Sequence, residues 1–415
     1  MEIKNKYHYT YFIHPYVIKE NKYNKYILKL LKDKKCKIRF FQKEKDLDIY
    51  THFLPSIRRY LFPTFEFSKN KIRRFKEMPR ETQAAILSKS PCTIFEYNIG
   101  KNVQGKMGKE AGIFFRIEKI EIICFNTGIC FLNIKTNIED SDKFEDVLDF
   151  NYKFRDINSE FSTLKDFENI RIQTNSFSDI KKINELINDI TGNSNQINNL
   201  DIDINSFLVY SYTCIDQDVW NENKEFSEIE HEFFKYINVL PSGYNISFNN
   251  SNERKKVKTI SNFKYVKYGF SKKGTSLLTS NIDTLNYTKI PHSFENEYLY
   301  TYILNIYKRI FLKKINMEYK QSSNMKRTRK RFVKFTQDLW IQESTNANLG
   351  GNLNQRWKES LELDQLYLEV KNKYDILYKE QNIEKTTKTN KVIMLVLVIS
   401  LIINILNFFV LFKAK

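Results

Sequence analysis

Apolar and polar positions change rhythm along this chain, and each rhythm predicts a different element. Residues 7–13, YHYTYFI, are aromatic and β-branched enough for a strand; 24–32 fit a short helix and 37–41 a further strand. The strongest local pattern is 117–136, two Ile-rich runs around Asn126-Thr127-Gly128, which predicts a hairpin whose three-residue turn ends in glycine. In that register Cys124 opposes Cys130, and a reducing compartment predicts two buried thiols there. Residues 142–156 predict an amphipathic helix with Phe144, Val147, Leu148 and Phe154 on its apolar face. The stretch 158–204 is rich in Asn, Ser and Asp around one helix at 179–190, with a loop at 191–199. Strands are predicted at 206–214 and 263–270, with a basic, polar loop over 245–261 between them.

From Glu295 the period lengthens. Residues 295–315 are apolar on most sides and too long for a strand, which predicts a buried helix; 326–343 predict another. Gly350-Gly351 predicts a break. From Asn354 to Lys388 there is neither Pro nor Gly, and Leu363, Leu366, Val370 and Leu377 keep a near-heptad spacing. That is a stalk helix, either self-associating as a coiled coil or packed on its own domain. Val392–Phe412 then runs without a charge, about 31 Å as a helix, which matches a hydrocarbon core of roughly 30 Å.

The predicted fold class is therefore an α+β cytosolic region followed by long helices, a stalk helix and one C-terminal transmembrane helix. Its expected divisions are an α/β sensing region over 1–290 with a candidate boundary near 158–204, a helical domain over 291–350, a stalk over 352–390 and a transmembrane anchor over 391–413. The first thirty residues hold no apolar run of signal-peptide type, and only Lys413, Ala414 and Lys415 follow the span. The expectation is a tail-anchored, single-pass protein with its N-terminal domain in the cytosol; Lys379, Lys385, Lys388 and Lys391 ahead of the span agree with the positive-inside rule. Within the span Ser400, Asn404 and Asn407 fall on one helical face, where amides need partners. They pack a homo-oligomer, line a pore made by several copies, or are tolerated in a monomeric span.

Composition narrows the class further. In 415 residues, hydrophobic side chains at 41% exclude global disorder, and 11 Gly and 7 Pro exclude collagen-like and linker-like chains. Five cysteines are too few for a disulfide scaffold. The net charge of +18 favours anionic partners. Its densest source is 325–334, MKRTRKRFVK, where Lys326, Arg327, Arg329, Lys330, Arg331 and Lys334 stand without an acid. Such a run is either a solvated helix face or a contact for the phosphates of nucleotides, nucleic acid or lipid head groups. Lys272 and Lys273, in the FSKKGTS stretch, share residue types with phosphate loops but not their order, and otherwise read as a turn. The five histidines have no ligand spacing and no catalytic constellation is present, so neither a metal, a cofactor nor an enzymatic activity is expected.

Three stretches together, 124–157, 296–315 and 334–380, resemble a bacterial CorA-like membrane family that includes effectors associated with type III CRISPR and other phage defence. The chain departs from CorA proteins in having one span and no Gly-Met-Asn motif. The resemblance implies an oligomer whose cytosolic domain senses a small signal and perturbs the membrane. The partners expected on this reading are the lipid bilayer, further copies of the chain and a nucleotide-derived activator. The alternative is a membrane-anchored scaffold that recruits a cytosolic partner.

Overall fold

The strand-forming segments assemble into a single sheet of twelve strands in the computed structural model, which describes residues 3–100, 103–107, 112–139, 141–155, 170–173, 181–192, 206–245, 258–320 and 325–413. The strands are β1 (Asn5–Val17), β2 (Cys36–Ile38), β3 (Cys92–Tyr97), β4 (Val103–Met107), β5 (Ile113–Phe125), β6 (Ile129–Ile138), β7 (Arg171–Gln173), β8 (Lys181–Lys182), β9 (Leu208–Ile215), β10 (Lys258–Ile260), β11 (Val266–Phe270) and β12 (Gly274–Ser280). Their order is β10-β11-β12-β9-β1-β6-β5-β4-β7-β8. The second half of β5 also pairs with β3, which carries β2. Only β12 and β9 run parallel among the described pairs. The expected hairpin is β5–β6, with Cys124 opposite Cys130 and all five thiols free and buried. Gly128 sits at φ 81°, and a Cβ there would collide with the Ile18 carbonyl.

The central strands are buried on both faces, so their apolar runs are nearly continuous and do not alternate. One face is covered by α1 (Glu20–Lys32), α6 (Phe144–Arg155), α7 (Ile183–Thr191) and α8 (Glu230–Asn238). Phe12 meets Phe154 at 4.1 Å, the Tyr16 and Tyr26 hydroxyls bond at 2.6 Å, and Tyr236 donates to Ser211 at 2.7 Å. The opposite face is covered by the C-terminal helices. These are α9 (Leu299–Lys320), α10 (Met325–Phe335), α11 (Asn348–Ser360) and α12 (Leu363–Lys413), while α2 (Leu47–His52), α3 (Pro55–Leu61), α4 (Lys69–Glu77) and α5 (Arg80–Lys89) lie between β2 and β3 in the chain. Phe125 stacks on Tyr307 at 3.9 Å, Tyr210 on Phe294 at 4.0 Å, and the Trp357 indole donates to Thr275 at 2.8 Å. Buried residues from Ile3 to Val370 form one continuous core across both faces.

Three expectations change. The Gly350-Gly351 break is not a break: both residues lie in the first turn of α11, where Gly350 lets the backbone approach His52, a Cβ there coming within 2.8 Å of its ring. The turn in the chain falls instead at Glu362, at φ 54°, so the stalk begins at Leu363 and the segment before it is a packed helix built around buried Trp357. The FSKKGTS stretch is a turn only over Ser271–Lys273; from Gly274 it enters β12, all of it buried. The near-heptad apolar residues of the stalk are used within the chain: Leu363 and Val370 are buried and Leu366 and Leu377 half-buried against the head. Residues 193–199, most of the loop expected at 245–261, and much of the boundary expected near 158–204 lie outside the described residues.

Candidate functional site: a cavity beneath the basic helix and the long helix beside it

The basic run forms α10, whose period turns Thr328, Phe332 and Phe335 inward and Lys326, Lys330 and Lys334 to solvent. The arginines separate. Arg331 donates to both oxygens of Glu318, at 2.8 and 2.9 Å, and its guanidinium lies 3.1 Å from Glu20 of α1. Arg327 also pairs with Glu20. Arg329 points the other way, its guanidinium 5.5 Å above the Tyr378 ring of α12. Lys314 of α9 completes the cluster, donating to the Thr127 carbonyl at 2.8 Å and lying 3.7 Å from Glu20. Burial lowers the Lys314 pKa from its usual value, and the neighbouring Arg331 charge adds to that. Two carboxylates thus hold three cations, and a net positive charge remains.

Beside this cluster opens a cavity of about 260 Å³. Tyr60, Tyr307, Phe311 and Phe335 line it together with Arg331 and Lys334, the Arg331 guanidinium 5.7 Å from the Phe311 ring, with Glu20 and Asp338 also at the lining. Phe311 and Phe335 stack at 4.5 Å, and the Tyr60 and Tyr307 hydroxyls bond at 3.0 Å. Burial pushes the Tyr307 hydroxyl up to about 12, so it stays protonated. Arg331, one of the lining residues, has its Nη2 buried and without a hydrogen-bond partner. Aromatic surface beside a guanidinium with a spare donor suits a flat ring carrying an acidic group.

Lys272 and Lys273 stand elsewhere. Lys272 bonds Glu362, at the head of α12, at 2.8 Å, and the Lys273 amide donates to Ser271 within the β11–β12 turn. Lys314, Tyr60, Tyr307 and Glu20 carry no signal in the sequence, since each comes from a separate segment and only the fold gathers them. Among the described residues no cluster of His, Cys, Asp and Glu could hold a metal ion.

No protein-family model, curated protein or solved structure matches this chain. The geometry alone therefore carries the functional argument, and its second component is α12.

That helix is the one, among the described residues, long and apolar enough to cross a membrane. Its first turns are bound to α10: Trp340, just beyond α10, stacks on Tyr367 at 4.1 Å, and Phe332 lies 5.6 Å from both Tyr367 and Tyr374. Its apolar portion, from Val392 to Leu406, is exposed along its length. Ser400, Asn404 and Asn407 recur at the spacings of one helical face.

Proposed function

We propose that this chain is an oligomeric membrane effector of the CorA-like kind, anchored by residues 391–413 with its α/β head in the cytosol. The head takes a small aromatic ligand bearing phosphate, of the nucleotide class, in the cavity beneath α10. Binding moves α10, and α10 moves α12, so the signal reaches the bilayer and disturbs it, as an antiviral effector would. The observation that supports this most is the continuity of α12: a helix of 51 residues begins with Leu363 buried in the head core and continues without interruption into the apolar segment. The cavity shares α10 with that helix, which gives ligand and membrane segment a common moving part. In the oligomer, Ser400, Asn404 and Asn407 meet across subunits and border a polar path.

The test is dye release from liposomes carrying the full chain, with AMP, ATP or inorganic phosphate added. Release on AMP or ATP, and its loss on deleting residues 391–415 with the protein then found in the soluble fraction, is the expected result. A chain that binds nucleotide yet never releases dye would overturn the effector reading and leave a membrane-anchored scaffold.

A further inference from the structure

A second cavity, of about 300 Å³, lies between β11, the turns after β12 and the start of α11. It shares no residue with the cavity beneath α10 and is far less polar. Tyr268, Ile290, Tyr298, Leu285 and Leu349 form its apolar lining. Leu285 and Phe263 at its rim are each about half exposed, at 53% and 52%.

Three features of this cavity offer contacts to a ligand. The Tyr268 side chain is fully buried, lines the cavity, and its hydroxyl has no hydrogen-bond partner. A buried hydroxyl left without a partner is costly, which an acceptor brought by a ligand would relieve. Lys289 stands exposed at the lining; among the described residues it makes no close ion pair, and its charge acts on the Glu297 carboxyl from a distance. The other charged residues at the lining are engaged: Lys264 with Glu222 at 2.9 Å, and Asp283 with the Leu285 amide at 2.9 Å. Third, Leu349 belongs to the first turn of α11, thirteen residues long, whose N-terminus has no side-chain cap. The positive end of that helix therefore borders the cavity.

We propose that this cavity binds a small apolar carboxylate, an aryl or short-chain acid. Its body lies against Ile290, Tyr298 and Leu349, and its oxygens meet the Tyr268 hydroxyl, the Lys289 ammonium and the N-terminal end of α11. Asp283 and a predominantly apolar wall oppose any anion here, so a dianionic phosphate ester suits the space less well than a singly charged carboxylate. The volume sits at the lower end of the range for small-ligand sites, which favours a single ring or a short acyl chain. Because α11 runs directly to Glu362 and into α12, an acid bound here would press on the same long helix at its first residue. The inference stands independently of what occupies the cavity beneath α10.

The probe is 4-fluorobenzoate, followed by ¹⁹F line broadening with the full chain in lipid nanodiscs; empty nanodiscs report partition into lipid alone. Binding in the millimolar range or tighter is expected, with fluorobenzene, which lacks the carboxylate, binding at least fivefold more weakly. Lys289→Gln and Tyr268→Phe should each weaken 4-fluorobenzoate at least fivefold. Leu349→Trp should abolish it by filling the space. Tyr268→Phe removes an unpartnered hydroxyl, so its melting temperature should not fall, and loss of binding in that variant reads as a lost contact. Lys334→Gln, in the other cavity, should leave 4-fluorobenzoate untouched. Broadening no greater than with empty nanodiscs, or affinity equal in Lys289→Gln, Tyr268→Phe and the unaltered chain, would overturn the proposal.

Discussion

Glu20→Gln isolates the charge that currently occupies the cation cluster beneath α10. Glutamine keeps the size and one acceptor oxygen but removes the counter-charge to Arg331 at 3.1 Å, Lys314 at 3.7 Å and Arg327. At an effective dielectric between roughly 20 and 80, each such pair gains about 1–4 kcal/mol before desolvation and side-chain entropy are subtracted. Arg327 is 63% exposed, and a pair of that kind retains about 0–1 kcal/mol. Lys314 is only 12% exposed and loses its nearest carboxylate, so most of the cost falls there. The net loss of stability should be about 1–2 kcal/mol, read as a shift of the urea midpoint at unchanged slope. Binding should move in the opposite direction. With Glu20 uncharged, an incoming phosphate no longer competes for Arg331, and AMP should bind about 3–10-fold tighter, equivalent to roughly 0.7–1.4 kcal/mol. Arg331→Gln should weaken AMP, more so at low salt, because screening already dulls the contact at high salt. Calorimetric titration of the full chain in nanodiscs reads both effects. AMP affinity unchanged in Glu20→Gln and in Arg331→Gln alike would refute the phosphate reading of this cavity.

Trp357→Ala should cost about 3–5 kcal/mol in urea unfolding, since the ring is fully buried and its indole satisfies Thr275. A loss below about 1 kcal/mol would mean that α11 does not pin the helices to the sheet. Asn404→Leu with Asn407→Leu should leave the protein in the membrane fraction while weakening self-association by at most about 1–2 kcal/mol per amide, measured by cross-linking across a dilution series. Undiminished cross-linking would remove the asparagines from the subunit contact. The buried pair His52 and Glu297, 3.4 Å apart, should nearly cancel in the pH dependence of stability. Burial pushes Glu297 up to about 7, so its contribution is complete in acid and is lost as pH rises toward 7. Burial lowers His52 to about 4, so its contribution is complete above its unfolded value and is lost as pH falls toward 4. The unaltered chain should be nearly flat from about pH 4.5 to 6.5; over that window Glu297→Gln should gain stability with rising pH and His52→Gln should lose it. Parallel profiles for all three would show that the two groups do not titrate as argued.

Elements whose signal is local could be read from the sequence. The β5–β6 hairpin announces itself through Ile-rich runs around a turn that needs glycine, and α6 through its apolar face. Strand β12 could not be read, because TSLLTS looks like a surface segment. Its hydroxyls are satisfied by distant backbone, Ser276 by the Tyr236 carbonyl and Ser280 by the Trp220 carbonyl, and only the fold supplies those acceptors. The apolar spacing of Leu363 and Val370 marked a face correctly but not its cover, since periodicity shows that a stripe is buried and not by what. Arg331 stood out for its charge; Glu20, which holds it, is 311 positions away and looked like any surface acid.

A helix with neither glycine nor proline from Leu363 to Lys413 behaves as a lever. Its fulcrum is the collar of Tyr367 and Tyr374 against Phe332, contact with the head continues to Leu377 and Tyr378, and about 35 residues, close to 52 Å, extend beyond Tyr378. A tilt of about 10° at that contact, small enough for a side-chain repacking around α10, would carry the far end some 9 Å sideways, by the length of the arm alone. Several copies leaning together would change the width of whatever they enclose by more than the diameter of a hydrated ion, with no residue inside the bilayer altering its own conformation. On the proposed reading the head would therefore need no large motion of its own; arm length would convert a modest rearrangement into displacement, and shortening the arm by whole turns between 380 and 391 would reduce the stroke in proportion.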